Sequence, residues 1–142
     1  MSTAEDRPLS GAEMIRQFLP LSPYVTYLGI QLTTMERDLA TLTLPFREPM
    51  VTIGTVVHGG AIASLIDTAA MVAAWSGAEQ QAKLRGSTVG LTVSYLAPAQ
   101  QEDIIATARV LRRGRSLVYL DVEVSGASGN PVARGLVTYK LG

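Results

Sequence analysis

The sequence contains no cysteine and a single histidine, His58. The absence of thiols excludes a disulfide framework and a cysteine nucleophile. One imidazole excludes a metal site built from several histidines. Residues 1–20 are charged and carry no apolar segment of the kind that a secretory signal requires. Together these absences indicate a reducing compartment, and we expect a cytoplasmic location.

Neither sign of charge is in excess. The chain has 142 residues with 12 basic and 12 acidic side chains, and its isoelectric point is about 6.6. This balance gives no electrostatic reason to expect nucleic acid or a membrane as a partner, and it is compatible with self-association. The length suits a single domain, which we assign to residues 1–142, with an N-terminal helix and loop over residues 1–27.

Charge is scarcest around Asp67, the one formally charged side chain between Glu48 and Glu79. Residues 61–75 are otherwise apolar and rich in alanine, and they are too few for a membrane span, which takes about 20 apolar residues. We therefore expect a buried helix here. A buried carboxylate is costly unless hydrogen bonds or a functional requirement retain it, so Asp67 is the first candidate for a site residue.

Two stretches have the pattern of helices. Ser10 and Glu13 form a capping box ahead of an apolar face, which predicts a short amphipathic helix ending at Pro20. The alanine-rich segment opens on a pair of glycines and closes on another glycine. It predicts a central helix of about five turns over residues 59–77.

Strands are predicted by alternation of apolar and polar residues. Residues 36–44 alternate until Pro45 stops the pattern. A strict period of two gives residues 87–95 two faces: one carries Val89, Leu91, Val93 and Tyr95, and the other carries Thr88, Gly90, Thr92 and Ser94. Three more strands are expected at residues 103–112, 116–125 and 132–141, joined by short turns. One long helix followed by a four-stranded antiparallel meander indicates an α+β fold.

Three short motifs accompany these elements: VVHGGAIASLIDTAAMVAAW at residues 56–75, SYLAPA at a strand end and RRGRS at a turn. With the order of elements, they resemble the hotdog-fold acyl-CoA thioesterases, and most of all the phenylacetyl-CoA and 4-hydroxybenzoyl-CoA thioesterase branch. The resemblance covers about residues 28–141. It implies an antiparallel sheet wrapped around the central helix and hydrolysis of acyl-CoA to acid and CoA. It also implies no metal, no cofactor apart from the CoA of the substrate, and a homodimer or dimer of dimers.

Thioester hydrolysis needs donors aimed at the developing oxyanion and a group that attacks or activates water. The start of a helix offers free N–H groups, and the resemblance assigns the donor to the Gly59 amide, while Gly60 lets the substrate approach the backbone. Asp67 is then the base or nucleophile; the alternative is a structural carboxylate. Gly59 and Asp67 lie roughly 12 Å apart along one helix axis. Two antiparallel helices from two subunits would therefore complete the site.

His58 and Thr88 complete the expected catalytic group. The resemblance gives His58 a role in orienting the loop or substrate, although an imidazole at a helix start is also an ordinary cap. Thr88 matches a position whose hydroxyl holds the attacking water in related enzymes; alternatively it is a plain strand residue. Thr52 stands where many of them carry Asn or Gln, so the second oxyanion donor is either Thr52 or missing. Gly90 is a further expected substrate contact.

Arg112, Arg113 and Arg115 flank a predicted hairpin turn, and Ser116 follows them. Planar guanidinium groups bind phosphates well, and the resemblance implies that a basic turn of this kind contacts the nucleotide of CoA. The alternative for exposed arginines is simple solvation.

Three functions are compatible with these observations. The first is an acyl-CoA thioesterase acting on an aryl or medium-chain acyl group. The second is a noncatalytic acyl-CoA-binding protein, which the unusual Thr52 motivates. The third is a hotdog enoyl-CoA hydratase, against which the single histidine ahead of the helix argues. Thiol release separates the first two functions, and addition of water to an enoyl-CoA tests the third.

Overall fold

The computed structural model describes residues 8–79 and 85–142. The part of the expected N-terminal segment that falls in residues 1–7 lies outside the described residues. Helix α1 spans Gly11–Phe18. The Ser10 hydroxyl oxygen accepts a hydrogen bond of 3.1 Å from the Glu13 amide, which confirms the predicted capping box.

The N-terminal helical path continues beyond Pro20, where the sequence pattern predicted its end. A single 3₁₀ turn occupies Leu19–Leu21, and a short helix α2 spans Pro23–Leu28. Both prolines stand in the first turn of their elements, where a missing N–H is tolerated. Each proline therefore begins a new helical turn, and α2 went unpredicted.

Eight strands make up the β structure of the described residues. They are β1 Gln31–Glu36, β2 Leu39–Leu44, β3 Val51–Ile53, β4 Val56–Val57, β5 Gly86–Tyr95, β6 Ile104–Arg113, β7 Leu117–Gly126 and β8 Pro131–Leu141. The pair β3–β4 forms a small hairpin, and the other six strands form one antiparallel sheet in the order β1-β2-β6-β7-β8-β5.

The predicted meander is correct for β6, β7 and β8 but wrong for β5. The side of β6 that a meander would offer to β5 is occupied by β2, with Leu39 opposite Arg109. Strand β5 instead pairs with β8 and forms one edge of the sheet. An apolar period identifies a strand but does not identify its neighbours.

The strand predicted over residues 36–44 corresponds to β2 and begins three residues later than expected, while β1 was not predicted. Strand β1 ends at Glu36 and β2 begins at Leu39. The chain reverses at Asp38, which has a positive φ of 65°. Aspartate tolerates this left-handed conformation better than most residues, so a two-residue turn fits between the strands.

Helix α3 spans Gly59–Ser76 and ends at Gly77, as the sequence predicts. It is long and apolar enough to cross a membrane by length and composition, but 61% of it is buried inside the chain. The sheet wraps around it, and small side chains such as Ala69, Ala73 and Ala108 are fully buried between the two layers. This arrangement confirms the expected α+β fold with a sheet around a central helix.

A β-bulge changes the faces of strand β5. Thr88 pairs with Tyr139 and Gly90 with Thr138, so Val89 is the extra residue. Strict alternation predicted Thr88 on the face opposite to Leu91 and Tyr95; this prediction is wrong, because the bulge inserts one residue and reverses the alternation. Thr88 therefore lies on the inner face of the sheet, the face that packs on α3.

One hydrogen-bonding edge of β5 has no strand beside it among the described residues, since β5 is the last strand of the sheet. Three large apolar side chains of this strand are substantially exposed: Val89 at 55%, Leu91 at 41% and Tyr95 at 54%. A long edge strand with exposed apolar side chains is a favourable surface for pairing with another chain.

Candidate active site

The Asp67 carboxylate is half-buried on α3 and faces the inner side of β5. Its Oδ1 accepts a hydrogen bond of 2.5 Å from the Thr88 hydroxyl. The carboxylate lines a cavity of about 210 Å³, whose apolar wall includes Phe18, Val25 and Met71. The charged residue that stood alone in the sequence is thus held by a neighbouring strand, and it lines a cavity with both apolar and hydroxyl-bearing side chains.

Thr88 reaches Asp67 because of the bulge at Val89. Without the extra residue, alternation would point Thr88 to the outer face of the sheet, away from α3. The structure therefore brings together two of the four residues expected to be catalytic, Asp67 and Thr88. The hydroxyl that bonds the carboxylate retains its lone pairs, so it can also accept a hydrogen bond from a water molecule.

Residues 58–60 form the start of α3. The His58 side chain is the N-cap, and its Nδ1 accepts a hydrogen bond of 2.8 Å from the Gly60 amide. This bond agrees with the capping interpretation of His58, and it sets the proton of a neutral ring on Nε2. The Gly59 amide makes no hydrogen bond to any described residue, as expected for the first residue of a helix.

Tyr95 holds Gly59 from the other side. Its hydroxyl donates a hydrogen bond of 2.7 Å to the Gly59 carbonyl oxygen. A Cβ atom at Gly59 would lie 3.2 Å from the Tyr95 ring, and one at Gly60 would lie 2.9 Å from the imidazole of His58. Both glycines therefore leave room for these side chains, which would have to shift if either residue carried a Cβ atom. The sequence pattern predicted Tyr95 only as an apolar residue of a strand and did not indicate its bond to Gly59.

Gly59 and Asp67 lie eight residues apart on α3. At 1.5 Å per residue, their separation along the axis is roughly 12 Å. One chain therefore does not bring the free amide and the carboxylate to the same point. The assembly of both groups from two subunits stays a prediction.

Several hydroxyl-bearing residues besides Thr88 line the cavity beside Asp67, and one of them is Tyr139 on β8. Tyr139 is 4% exposed and Trp75 is 1% exposed, and the Trp75 indole N–H donates a hydrogen bond of 2.9 Å to the Tyr139 hydroxyl oxygen. Burial raises the pKa of Tyr139, the Trp75 bond opposes this, and the Asp67 charge adds to the rise. No polar pattern in the sequence indicated this pair, since both residues fit an apolar core pattern.

The three arginines near the β6–β7 turn have different surroundings. Arg112 and Arg115 are exposed and, with Ser116, line an open groove of about 480 Å³. The Arg113 guanidinium turns inward, pairs with Asp38 at 2.7 Å and donates a hydrogen bond of 3.0 Å to the carbonyl oxygen of Ala74, at the end of α3. Arg113 therefore satisfies a helix C-terminus.

Two expected substrate contacts lie away from the Asp67 cavity in the single chain. Thr52 is exposed on β3, in the hairpin that precedes α3. Gly90 pairs with Thr138, on the outer face of the sheet. Within residues 8–79 and 85–142, no group of three or more histidine or acidic side chains is arranged to hold a metal ion.

Comparisons with known proteins agree with this geometry. A family model described as Thioesterase superfamily matches residues 54–133, which include α3 and β5–β7. The chain is 30% identical over 135 residues to the medium/long-chain acyl-CoA thioesterase YigI of Escherichia coli, covering 84% of this chain and 86% of that protein. It is 37% identical over 95 residues to human acyl-coenzyme A thioesterase 13, covering 63% of each chain.

Among solved structures, zebrafish thioesterase superfamily member 2 superposes with a TM-score of 0.77 at 25% identity, covering 94% of this chain and 99% of that one. The likeness extends over nearly the whole chain. The N-terminal helices are therefore included in it as well as the sheet.

Proposed function

The chain belongs to the thioesterase superfamily, and on this premise we propose that it is an acyl-CoA thioesterase that hydrolyses an aryl or medium-chain acyl-CoA to the free acid and CoA. One observation carries the proposal. The Asp67 carboxylate, bonded to Thr88, opens onto a cavity with an apolar wall. The names of the relatives support an acyl-CoA substrate, and that of YigI includes medium-length chains.

Asp67 is the group that acts on the thioester. As a general base it takes a proton from a water molecule held by the Thr88 hydroxyl; as a nucleophile it attacks the thioester carbonyl itself. In either case the carbonyl oxygen gains negative charge and needs a donor. The free Gly59 amide, at the positive end of α3, has the required character.

We assign that donor to a second subunit, because Gly59 and Asp67 of one chain are too far apart. Edge strand β5 supports this assignment, since it contacts both halves of the site: Thr88 bonds Asp67, and Tyr95 bonds Gly59. Two copies of β5 paired antiparallel about a two-fold axis would join the Asp67 half of one chain to the Gly59 half of the other. The exposed apolar side chains of β5 would be covered by the same pairing.

The faces of β5 exclude registers with the axis between two residues, and among the others we choose the one that brings the Thr88 end of one chain to the Tyr95 end of its partner. A two-fold axis perpendicular to the sheet keeps inner faces together, so residues that oppose one another must share a face. With Thr92 on the axis, Gly90 lies opposite the partner's Ser94. The bulge at Val89 then brings Thr88 beside the partner's Tyr95, and both lie on the inner face. In this register each Asp67 approaches the partner subunit's Gly59.

CoA is expected to place its phosphates at Arg112 and Arg115. Both are exposed and line the groove beside Ser116, and planar guanidinium groups suit phosphate oxygens. Arg113 is left out of this assignment, because its guanidinium is already bonded to Asp38 and to α3.

The test is release of free thiol from a panel of aryl and aliphatic acyl-CoA substrates, with Asp67→Asn as the variant. The substitution keeps the shape of the side chain and removes its negative charge. We expect turnover to fall by about a hundredfold or more with the fold preserved. The control is Asp121→Asn, on the outer face of the sheet, where Asp121 pairs with Arg134.

Unchanged turnover in the Asp67→Asn variant would contradict the mechanism. Binding of acyl-CoA by the wild-type chain with no thiol release from any substrate would contradict the enzymatic assignment altogether. Formation of hydroxyacyl-CoA from enoyl-CoA would point to the hydratase alternative instead.

A further inference from the structure

Tyr139 has a hydrogen bond to donate and no partner to receive it. Its hydroxyl oxygen already accepts the Trp75 indole N–H at 2.9 Å. Its own proton makes no hydrogen bond to any residue in the described ranges 8–79 and 85–142. The side chain is 4% exposed, and a buried hydroxyl that lacks an acceptor is costly. The hydroxyl lines the cavity that contains Asp67, so an acceptor is expected there.

The Tyr139 hydroxyl lies toward the end of the cavity remote from the Gly59 end of α3. It contacts Trp75, eight residues beyond Asp67 on that helix, or roughly 12 Å along the axis. Gly86 is the first residue of β5, and a Cβ atom there would lie 2.5 Å from the Tyr139 hydroxyl oxygen. Gly86 thus leaves room for the phenol, and Asp67 separates the phenol from the start of α3.

The cavity between these groups has the size and character of a site for a small acyl group. Its volume is about 210 Å³; Phe18, Val25 and Met71 give it an apolar wall, and Ser22, Thr68 and Ser87 also line it. A dry cavity of about 150 Å³ is large enough to bind benzene. A substituted ring or a medium-length chain therefore fits.

We propose that Tyr139 determines substrate specificity by donating a hydrogen bond to an uncharged oxygen atom of the acyl group, at the end remote from the thioester. The proposal rests on the proposed thioesterase function, because it takes the thioester to lie at Asp67. The acceptor is a hydroxyl, ether or keto oxygen. A carboxylate is disfavoured, because no lysine or arginine lines the described part of the cavity and Asp67 would repel it.

The environment keeps the phenol in the protonated form that this role needs. Burial raises the pKa of Tyr139, and the charge of Asp67 raises it further. A raised phenol pKa means that the hydroxyl stays neutral and able to donate at ordinary pH. The bond from Trp75 uses the hydroxyl oxygen as an acceptor and leaves the proton available to donate.

The experiment compares matched substrates that differ by one oxygen atom. Two pairs cover the two acyl shapes: 4-hydroxyphenylacetyl-CoA with phenylacetyl-CoA, and 8-hydroxyoctanoyl-CoA with octanoyl-CoA. The measured quantity is the ratio of kcat/KM within each pair. We expect the wild-type enzyme to favour the oxygenated member of at least one pair by about two- to tenfold, the effect of one neutral hydrogen bond. Tyr139→Phe is expected to abolish that preference.

Trp75→Phe is the matched control. It removes the bond between the two side chains but leaves the Tyr139 hydroxyl in the cavity, so the substrate preference should persist. Tyr139→Phe could fold poorly only because the indole N–H loses its acceptor. In that case the double variant Trp75→Phe, Tyr139→Phe, which removes both partners of the bond, is used in place of the single variant.

The proposal is overturned if the wild-type enzyme favours neither oxygenated substrate, as expected if an ordered water occupies the acceptor position. It is also overturned if Tyr139→Phe keeps the preference. Failure of the underlying function is distinguishable, because in that case Asp67→Asn would leave thiol release unchanged for all four substrates.

Discussion

The Tyr95 hydroxyl donates a hydrogen bond of 2.7 Å to the carbonyl oxygen of Gly59, and its ring lies against the Gly59 backbone. His58 holds the next residue through its bond to the Gly60 amide. The first turn of α3 is therefore held from both sides, while the Gly59 amide stays free of protein partners in the described chain. An oxyanion donor acts best when it is fixed before the reaction.

Tyr95 should accordingly act as a positioning residue. Tyr95→Phe removes the hydroxyl and keeps the ring, so we expect kcat to fall by up to about tenfold while KM stays nearly constant. The control is Tyr24→Phe. The Tyr24 hydroxyl bonds Ser64 on the same helix at 2.9 Å, and Tyr24 is 58% exposed, similar to Tyr95. Equal kcat values for both variants would mean that the Tyr95 bond has no catalytic role.

The Thr88 hydroxyl should be needed for its bond to Asp67. Thr88→Val removes the hydroxyl at nearly constant shape, whereas Thr88→Ser retains it. We expect kcat to fall by about tenfold in the valine variant and to stay near the wild-type value in the serine variant. Steady-state thiol release measures both. If the serine variant loses as much activity as the valine variant, packing by the methyl group matters more than the hydroxyl.

The arginines of the β6–β7 turn should separate into two classes. If Arg112 and Arg115 contact the phosphates of CoA, their replacement by alanine should raise KM by about tenfold and leave kcat nearly unchanged, because the nucleotide is remote from the thioester. The rise should shrink at high ionic strength. An acyl-pantetheine substrate carries no nucleotide, so an equal effect on both substrates would contradict phosphate binding.

Arg113→Ala should behave differently from these two variants. It removes the ion pair with Asp38 and the bond to the Ala74 carbonyl oxygen. We expect a loss of about 1–3 kcal/mol in the free energy of unfolding, with KM for acyl-CoA unchanged. Denaturant unfolding measures the first quantity and thiol release the second. A raised KM with unaltered stability would indicate instead that Arg113 contacts CoA.

The proposed β5 register can be tested by crosslinking. The native chain has no cysteine, so a disulfide in a Thr92→Cys variant reports only that position. If Thr92 lies on the two-fold axis, mild oxidation should give a covalent dimer on a non-reducing gel. Thr138→Cys, one strand further from the axis on β8, is the control. Its two copies would be separated by about three strand spacings of 4.8 Å, too far for a disulfide.

Crosslinking at Thr138 without crosslinking at Thr92 would contradict the register.

A sharper test of the shared site mixes subunits. Asp67→Asn subunits co-assembled with subunits blocked at Gly59 should regain one working site per heterodimer. Absence of rescue would argue against a site built from two chains.

Features encoded within a few residues could be predicted from the sequence. The capping box at Ser10 and the start of α3 at Gly59 depend on hydrogen bonds between residues two or three positions apart. Asp67 was identified as the first candidate for a site residue because of its isolation among apolar residues. The motifs around it were sufficient for the family resemblance, which the comparisons confirm at the level of the thioesterase superfamily.

Features that depend on strand pairing were decided by the tertiary structure. The inner-face position of Thr88 results from a bulge against β8, and the edge position of β5 results from β2 occupying the side of β6. Neither partner is close in sequence, and a period of two is the same whichever strand lies alongside. A one-residue insertion nevertheless reverses the face of every residue beyond it.

Side chains with similar neighbours in the sequence have different environments in the tertiary structure. Arg112 and Arg113 are neighbours, yet one faces a groove and the other caps α3, because successive residues of a strand point to opposite faces. Tyr139 has the sequence pattern of a core residue, and only the tertiary structure shows that its hydroxyl oxygen accepts a hydrogen bond from Trp75. The sequence by itself determined which groups were available for chemistry, and the contacts between distant strands decided which of them meet, because hydrogen bonds form only where folding brings donor and acceptor together.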